Sequence, residues 1–212
     1  MMIFELLFVA VVLGSVVTLA SAAVTALRGR RQRALALVVG WATCIAVYLG
    51  VVVAVALVSP QRTIALGEDR CFDDWCVAVS HVTLTHEMGA GVDAIRTNGQ
   101  FYVVTIRLSN HARGRSQRAS SAAVRLADGE GRVYEVSREG QAAYEAQHGP
   151  ASPLTSTMDI GQAIDAVRVF ELPTDSRDVG LTVEHPVGPA PGLFIIGDDA
   201  SLFHKPPVMR LN

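Results

Sequence analysis

The pattern of apolar and polar positions divides the chain in two. From residue 3 to residue 58 apolar side chains run almost unbroken, and after residue 60 they come in short runs separated by turn residues. The first run, "IFELLFVAVVLGSVVTLASAAVTAL" (3–27), holds one charge, Glu5, near its outer end; the second, "ALALVVGWATCIAVYLGVVVAVALV" (34–58), holds none. At about 1.5 Å of helical rise per residue, each can cross about 30 Å of hydrocarbon with some tilt. In lipid the backbone must bond to itself, so these runs become helices despite their many valines.

The link between them, "RGRRQR" (28–33), is short enough to force an antiparallel hairpin. Arg28, Arg30, Arg31 and Arg33, with no acid among them, place the link in the cytoplasm by the positive-inside rule. Both outer ends of the hairpin, and everything after Ser59, then lie on the extracytoplasmic side of a cell membrane. A cleaved signal peptide competes with this reading, because "LASAA" (19–23) holds an Ala-x-Ala-like site. No Lys or Arg precedes the first run, and the run is longer than a signal core. Within the spans, Glu5 reads as a snorkelling interfacial acid and Cys44 as a small packing residue. Gly50 and Ala54 form a small-xxx-small pair that can mark contact between the helices.

Beyond the spans, "SPQRTIALGEDR" (59–70) reads as a polar linker, and residues 71–212 as one β-rich domain. "CVAVSHVTL" (76–84) is a strand whose phase slips near Ser80 and His81, predicting a bulge. "THEMGAGVDAIRTNGQ" (85–100) reads as a loop. In "FYVVTIRLSN" (101–110), Tyr102, Val104, Ile106 and Leu108 share one face. "SAAVRLADGEGRVYEVS" (121–137) reads as a hairpin turning at residues 128–131, and "GQAAYEAQ" (140–147) as a short helical turn. "DAVRVFELP", "DVGLTVEHP" and "GLFIIG" read as further strands, and "PVMRL" as a last edge strand. Seven or eight short strands with regular turn signals predict an all-β two-sheet sandwich following the two-helix hairpin.

Composition adds the setting. The chain has 212 residues, 50% hydrophobic and 18% charged, and its apolar excess sits in the first 58. After Pro60, 14 basic residues face 19 acidic ones, a charge of −5. A mildly acidic outer domain gives no reason to expect nucleic acid as a partner.

Three stretches carry a resemblance: "FYVVTIRLSN", "RLADGEGRVYEV" and "TMDIGQAIDAVRVFELP". They resemble bacterial extracytoplasmic immunoglobulin-like domains of unknown function, grouped with telokin-like secreted antigens. Asn110, Gly131, Gly161, Phe170 and Pro173 match the pattern, while Ile160 stands where a Pro is usual. The resemblance spans residues 76 to 185. It implies a fold and an extracytoplasmic setting, and it brings no catalytic residues.

The chemistry that the sequence offers is sparse. Zinc needs three or four ligands at workable spacing. His81 and His86 are five apart, "HEMGA" lacks the second His of a zincin motif, and His111, His148, His185 and His204 are scattered in predicted loops. No G-x-S-x-G elbow and no P-loop Lys-Ser/Thr is present. Asp73 with Asp74, and Asp198 with Asp199, lack the rest of a calcium loop. "RGRSQR" (113–118) reads as a solvated basic turn, with lipid headgroups or an acidic partner as its functional alternative. "FIIGDDASLFHK" reads as a cover for the open end of the sandwich or a partner-binding edge.

Cys71 and Cys76 flank "FDDW". On the outer side thiols oxidise, and the remaining cysteine, Cys44, lies in the membrane, so an intrachain disulfide is expected just before the first strand. Asp73 and Asp74 would then sit at the tip, with Trp75 folded onto the sandwich. The reading is therefore a non-catalytic, membrane-anchored module of the cell envelope. It would bind or scaffold an envelope protein and need neither cofactor nor metal. The alternatives are an envelope enzyme assembled from His81, His86 and Asp74, and an accessory subunit of a larger membrane complex.

Overall fold

A computed structural model describes residues 3–72, 74–89, 94–119, 122–184, 191–198 and 201–211. Contacts group the chain into two units, residues 1–61 with 188–206 and residues 62–187 with 207–212.

The first unit is built on two helices, α1 (Ile3–Leu27) and α2 (Arg31–Val58). Both are long and apolar enough to cross a membrane. Leu13, Val16, Val17 and Leu19 are each at least 60% exposed, so the apolar surface of α1 faces away from protein. The helices meet through Trp41, whose indole Nε1 donates to Ser15 Oγ at 2.9 Å. A Cβ at Gly14 would fall 2.5 Å from the Trp41 ring, so a larger residue there would displace the indole. Gly50 has open space around it, so the small-xxx-small pair reflects composition rather than contact. Cys44 likewise lies exposed on the flank of α2 rather than packed. The turn between the helices is tighter than expected. Arg28 and Arg30 occupy it, and Arg31 and Arg33 fall in the first turn of α2.

The second unit is a β-sandwich with one added helix. Among the described residues eleven strands form it: β1 (Thr63–Ile64), β2 (Arg70–Phe72), β3 (Trp75–Met88), β4 (Ile95–Asn110), β5 (Gln117–Arg118), β6 (Ala123–Ala127), β7 (Val133–Tyr134), β8 (Thr157–Met158), β9 (Ala163–Leu172), β10 (Gly180–Glu184) and β11 (Val208–Arg210). One sheet has the order β1-β11-β10-β6-β7, the other β2-β3-β4-β9, and β5 pairs with β8. Val104, Ile106, Leu108, Phe170, Leu126, Leu181 and Met209 belong to one buried cluster drawn from both sheets. The face of β4 expected to point inward does so, with Tyr102 at its margin.

Several expectations change. α3 (Arg138–His148) is a full helix where a short turn was expected. Ser137 caps it by accepting from Gly140 N. Ala143 and Tyr144 of α3 pack against Phe101, Met88 and Val169. These face away from the main cluster, so the β2-β3-β4-β9 sheet has apolar contacts on both sides. Gly140 permits the approach, because a Cβ there would lie 2.8 Å from Val169 Cγ1. The linker expected at 59–70 is not free chain: Ile64 is 2% exposed in the core and pairs in parallel with Met209. "PVMRL" does form a strand, but β11 lies inside β1 rather than at the edge. The loop expected at 85–100 shrinks, since β3 runs to Met88 and β4 starts at Ile95. Glu87 and Arg96 pair across the extension at 3.0 Å. The bulge expected near Ser80 is present as a register shift between Val79 and His81.

Candidate interaction surface

β2 and β3 form a hairpin in which Phe72 faces Trp75 and Cys71 faces Cys76. The two cysteines are joined in a disulfide. Phe72 stacks on Trp75 at 4.7 Å, and the Arg70 guanidinium lies 4.5 Å above the Phe72 ring. Trp75 is 5% exposed and belongs to the core, as expected. The expected clip is thus a cross-strand staple that ties a short edge strand to a long one. Asp73 lies outside the described residues. Asp74 is bound within the protein: its Oδ2 accepts from Arg115 Nη2 at 2.5 Å and from Gln117 Nε2 at 3.1 Å. His111 N also donates to the Asp74 carbonyl at 2.7 Å. The basic turn "RGRSQR" therefore places Arg115 on the hairpin tip.

β2 covers the outer edge of β3 only from Trp75 to Val77. Gly67 N then donates to the Val79 carbonyl at 2.8 Å. From His81 to Glu87 no strand pairs with that edge among the described residues. The opposite edge of this stretch is held by β4, from His81↔Thr105 to Thr85↔Phe101. His81, Thr83, Leu84, His86 and Glu87 are exposed. At the other side of the sheet, β9 is shielded: Ser137 N donates to the Val169 carbonyl at 2.8 Å, and Gln141 Oε1 accepts from Val169 N at 3.0 Å. Among the described residues, β9 is covered at Val169, and β3 is left open from His81 to Thr85. An open edge is a template for an added strand.

The residues weighed for metal or catalytic work do not converge. Asp74 and His81 are separated by about 23 Å of extended chain, and His81 and His86 by about 17 Å. His81 Nε2 contacts Thr83 Oγ1 at 3.1 Å, and His86 Nδ1 lies 2.7 Å from the Gly99 carbonyl. His148 stacks on Tyr144 at 4.3 Å, and His204 Nδ1 lies 2.9 Å from the Lys205 carbonyl. His185 and Asp199 lie outside the described residues. No group of three His, Cys, Asp or Glu side chains suited to a metal occurs among the described residues. A shallow cleft of about 370 Å³ lies between α3 and the ends of β3 and β4. Its lining includes Ile95, Ala142, Ala143 and Ala146, with Glu139 as its ionisable member.

Two buried polar knots were not anticipated. Asn110 is 2% exposed, and its Nδ2 spans the carbonyls of Arg115, Met158 and Asp159 at 3.0–3.1 Å. Its Oδ1 accepts from Ala112 N at 2.8 Å. Asp128 closes the β6–β7 turn: its Oδ1 accepts from the backbone N of Glu130 and of Arg132, both at 3.0 Å. Its Oδ2 accepts from Arg132 Nε at 2.6 Å and Tyr134 Oη at 2.9 Å. Burial works to raise the Asp128 carboxyl, and the bonds from Arg132 and Tyr134 outweigh it, so it titrates below the usual range. The signal for both was an Asn or Asp ending an apolar strand ahead of a glycine-containing turn.

No family model matches the chain, and neither does any curated protein. Among solved structures it is similar to a conserved hypothetical protein from Bacillus anthracis, with 18% identity and a TM-score of 0.46 over 58% of this chain and 91% of that one. It is also similar to an uncharacterized β-sandwich protein from Clostridium difficile 630, with 10% identity and a TM-score of 0.43 over 73% and 96%. The secreted protein MPT63 of Mycobacterium tuberculosis is a third, at 18% identity and a TM-score of 0.42 over 61% and 93%.

Proposed function

We propose that α1 and α2 span a bacterial inner membrane with their connecting turn in the cytoplasm. The sandwich, immunoglobulin-like in type, then stands on the extracytoplasmic side, where it binds an envelope protein and performs no catalysis. The observation that carries this reading is the charge at the helical turn. Arg28, Arg30, Arg31 and Arg33 are all exposed. Two of them sit at the N-terminus of α2, where the helix dipole disfavours positive charge. Their placement therefore does not serve helix stability, and it fits a topology signal. The disulfide is in keeping with an oxidising compartment.

Binding is assigned to the open edge of β3 between His81 and Thr85, beside which no strand pairs among the described residues and to which an extended segment of the partner can add. Glu87, whose backbone N–H and carbonyl are both bonded to the Thr85 hydroxyl, ends that edge. A photo-crosslinking amino acid at Thr83, in the full chain in living cells, should capture one defined envelope protein. The same probe at Val133, which is 59% exposed on β7, should not. Absence of any adduct at Thr83, or the same adducts at both positions, would remove the edge-binding reading.

A further inference from the structure

The segment from Pro191 to His204 groups with the helices, not with the sandwich it was expected to cover. "GLFIIG", expected as a strand, opens with a 3-10 turn (Pro191–Phe194). The segment folds on itself, with Leu202 N donating to the Leu193 carbonyl and His204 N to the Ser201 carbonyl, at 3.1 and 3.0 Å. Ile196 is buried within this unit, while Leu193, Phe194 and Phe203 are 38%, 40% and 70% exposed. Phe203 has φ +65°, a conformation rare for a bulky residue, and its side chain is exposed.

The depth of this lobe follows from one hydrogen bond. Tyr48 of α2 donates its hydroxyl to the Phe194 carbonyl at 2.6 Å. Counting from Ala34, the first apolar residue past Arg33, about 20 residues cross the hydrocarbon core and end near Val53. Tyr48 lies five residues, about 8 Å, inside that limit. A hydroxyl or carbonyl at such a depth must find a protein partner.

We infer that the 191–204 lobe is a third membrane contact. It rests on the flank of α2 and places Leu193, Phe194 and Phe203 among the outer ends of the lipid acyl chains of the extracytoplasmic leaflet. This inference rests on the spanning reading above. The chain is thereby held at the bilayer by two separated parts of its sequence, and the lobe matches the shallow burial typical of interfacial elements.

The test uses the full chain with Cys44→Ser, reconstituted in nanodiscs, with single cysteines introduced by Phe203→Cys or Leu193→Cys. Each is labelled with an environment-sensitive fluorophore, and Val38→Cys within α2 serves as the spanning reference. Lipids carrying a nitroxide high on the acyl chain should quench most of the emission at 203 and 193, while aqueous iodide leaves it unchanged. Iodide quenching at both sites, with lipid quenching at 38, would overturn the inference and leave the spans intact. Iodide quenching at all three would overturn both.

Discussion

Cys71 and Cys76 are register partners on β2 and β3, and their disulfide fixes the hairpin one residue pair behind its turn. The staple holds the short strand that covers the first three residues of the β3 edge, and so sets where the open edge begins. Loop entropy for so short a closure is worth about 2 kcal/mol. Replacing both cysteines by alanine in the full chain should lower the urea midpoint of the sandwich by that order. Hydrogen exchange should quicken at residues 70–77 and stay unchanged in β10.

Asn110 ties the end of β4 to the loop after it and to β8. Asn110→Ala leaves several carbonyls of that knot without a donor, at a cost of about 1–3 kcal/mol in denaturant unfolding. Asn110→Asp should be worse, since it turns a donor into a carboxylate facing the same carbonyls.

Asp128 links stability to pH. Its folded pKa lies below the usual value, so its contribution is complete above the unfolded pKa of about 3.9 and is lost as pH falls through the folded value. The urea midpoint of the sandwich should therefore decline in acid below about pH 4. Asp128→Asn should lower stability at neutral pH and flatten that decline. An unchanged acid slope in the variant would show that other carboxylates govern it.

Gly140 sits in the first turn of α3, where alanine gains about 1 kcal/mol of helix propensity. Packing opposes this, because the new Cβ meets Val169 Cγ1 at 2.8 Å and Phe101 Cε1 at 3.2 Å. Overpacking costs of about 1–3 kcal/mol should prevail, so Gly140→Ala lowers the melting temperature and Gly140→Val lowers it further.

The helices, the inward face of β4, the bulge at Ser80 and the cysteine pairing were legible because each follows from local pattern or charge. Ile64 and α3 were not. Ile64 heads a three-residue apolar run, Ile-Ala-Leu, inside an otherwise polar stretch, and only its pairing with β11, far along the chain, makes it core. Residues 138–148 carry a weak helical pattern, and the helix is secured by the Ser137 cap and by Phe101 and Val169 beneath it. The fate of "GLFIIG" was misread for a related reason. Its apolar run suits a strand, but its carbonyl at Phe194 is taken by Tyr48, a partner nearly 150 residues earlier. The edge of β3 was hidden because openness is a property of what lies beside a strand, which no local run encodes.

The sidedness of the chain can be read by cysteine labelling in intact cells. In the Cys44→Ser background, single cysteines replace Gln32, beside the arginine turn, and Glu130, in the β6–β7 turn. A membrane-impermeant maleimide should label position 130 at once and position 32 only after the membrane is broken. Labelling of position 32 in intact cells, with position 130 protected, would reverse the topology and remove the basis for an extracytoplasmic binding module.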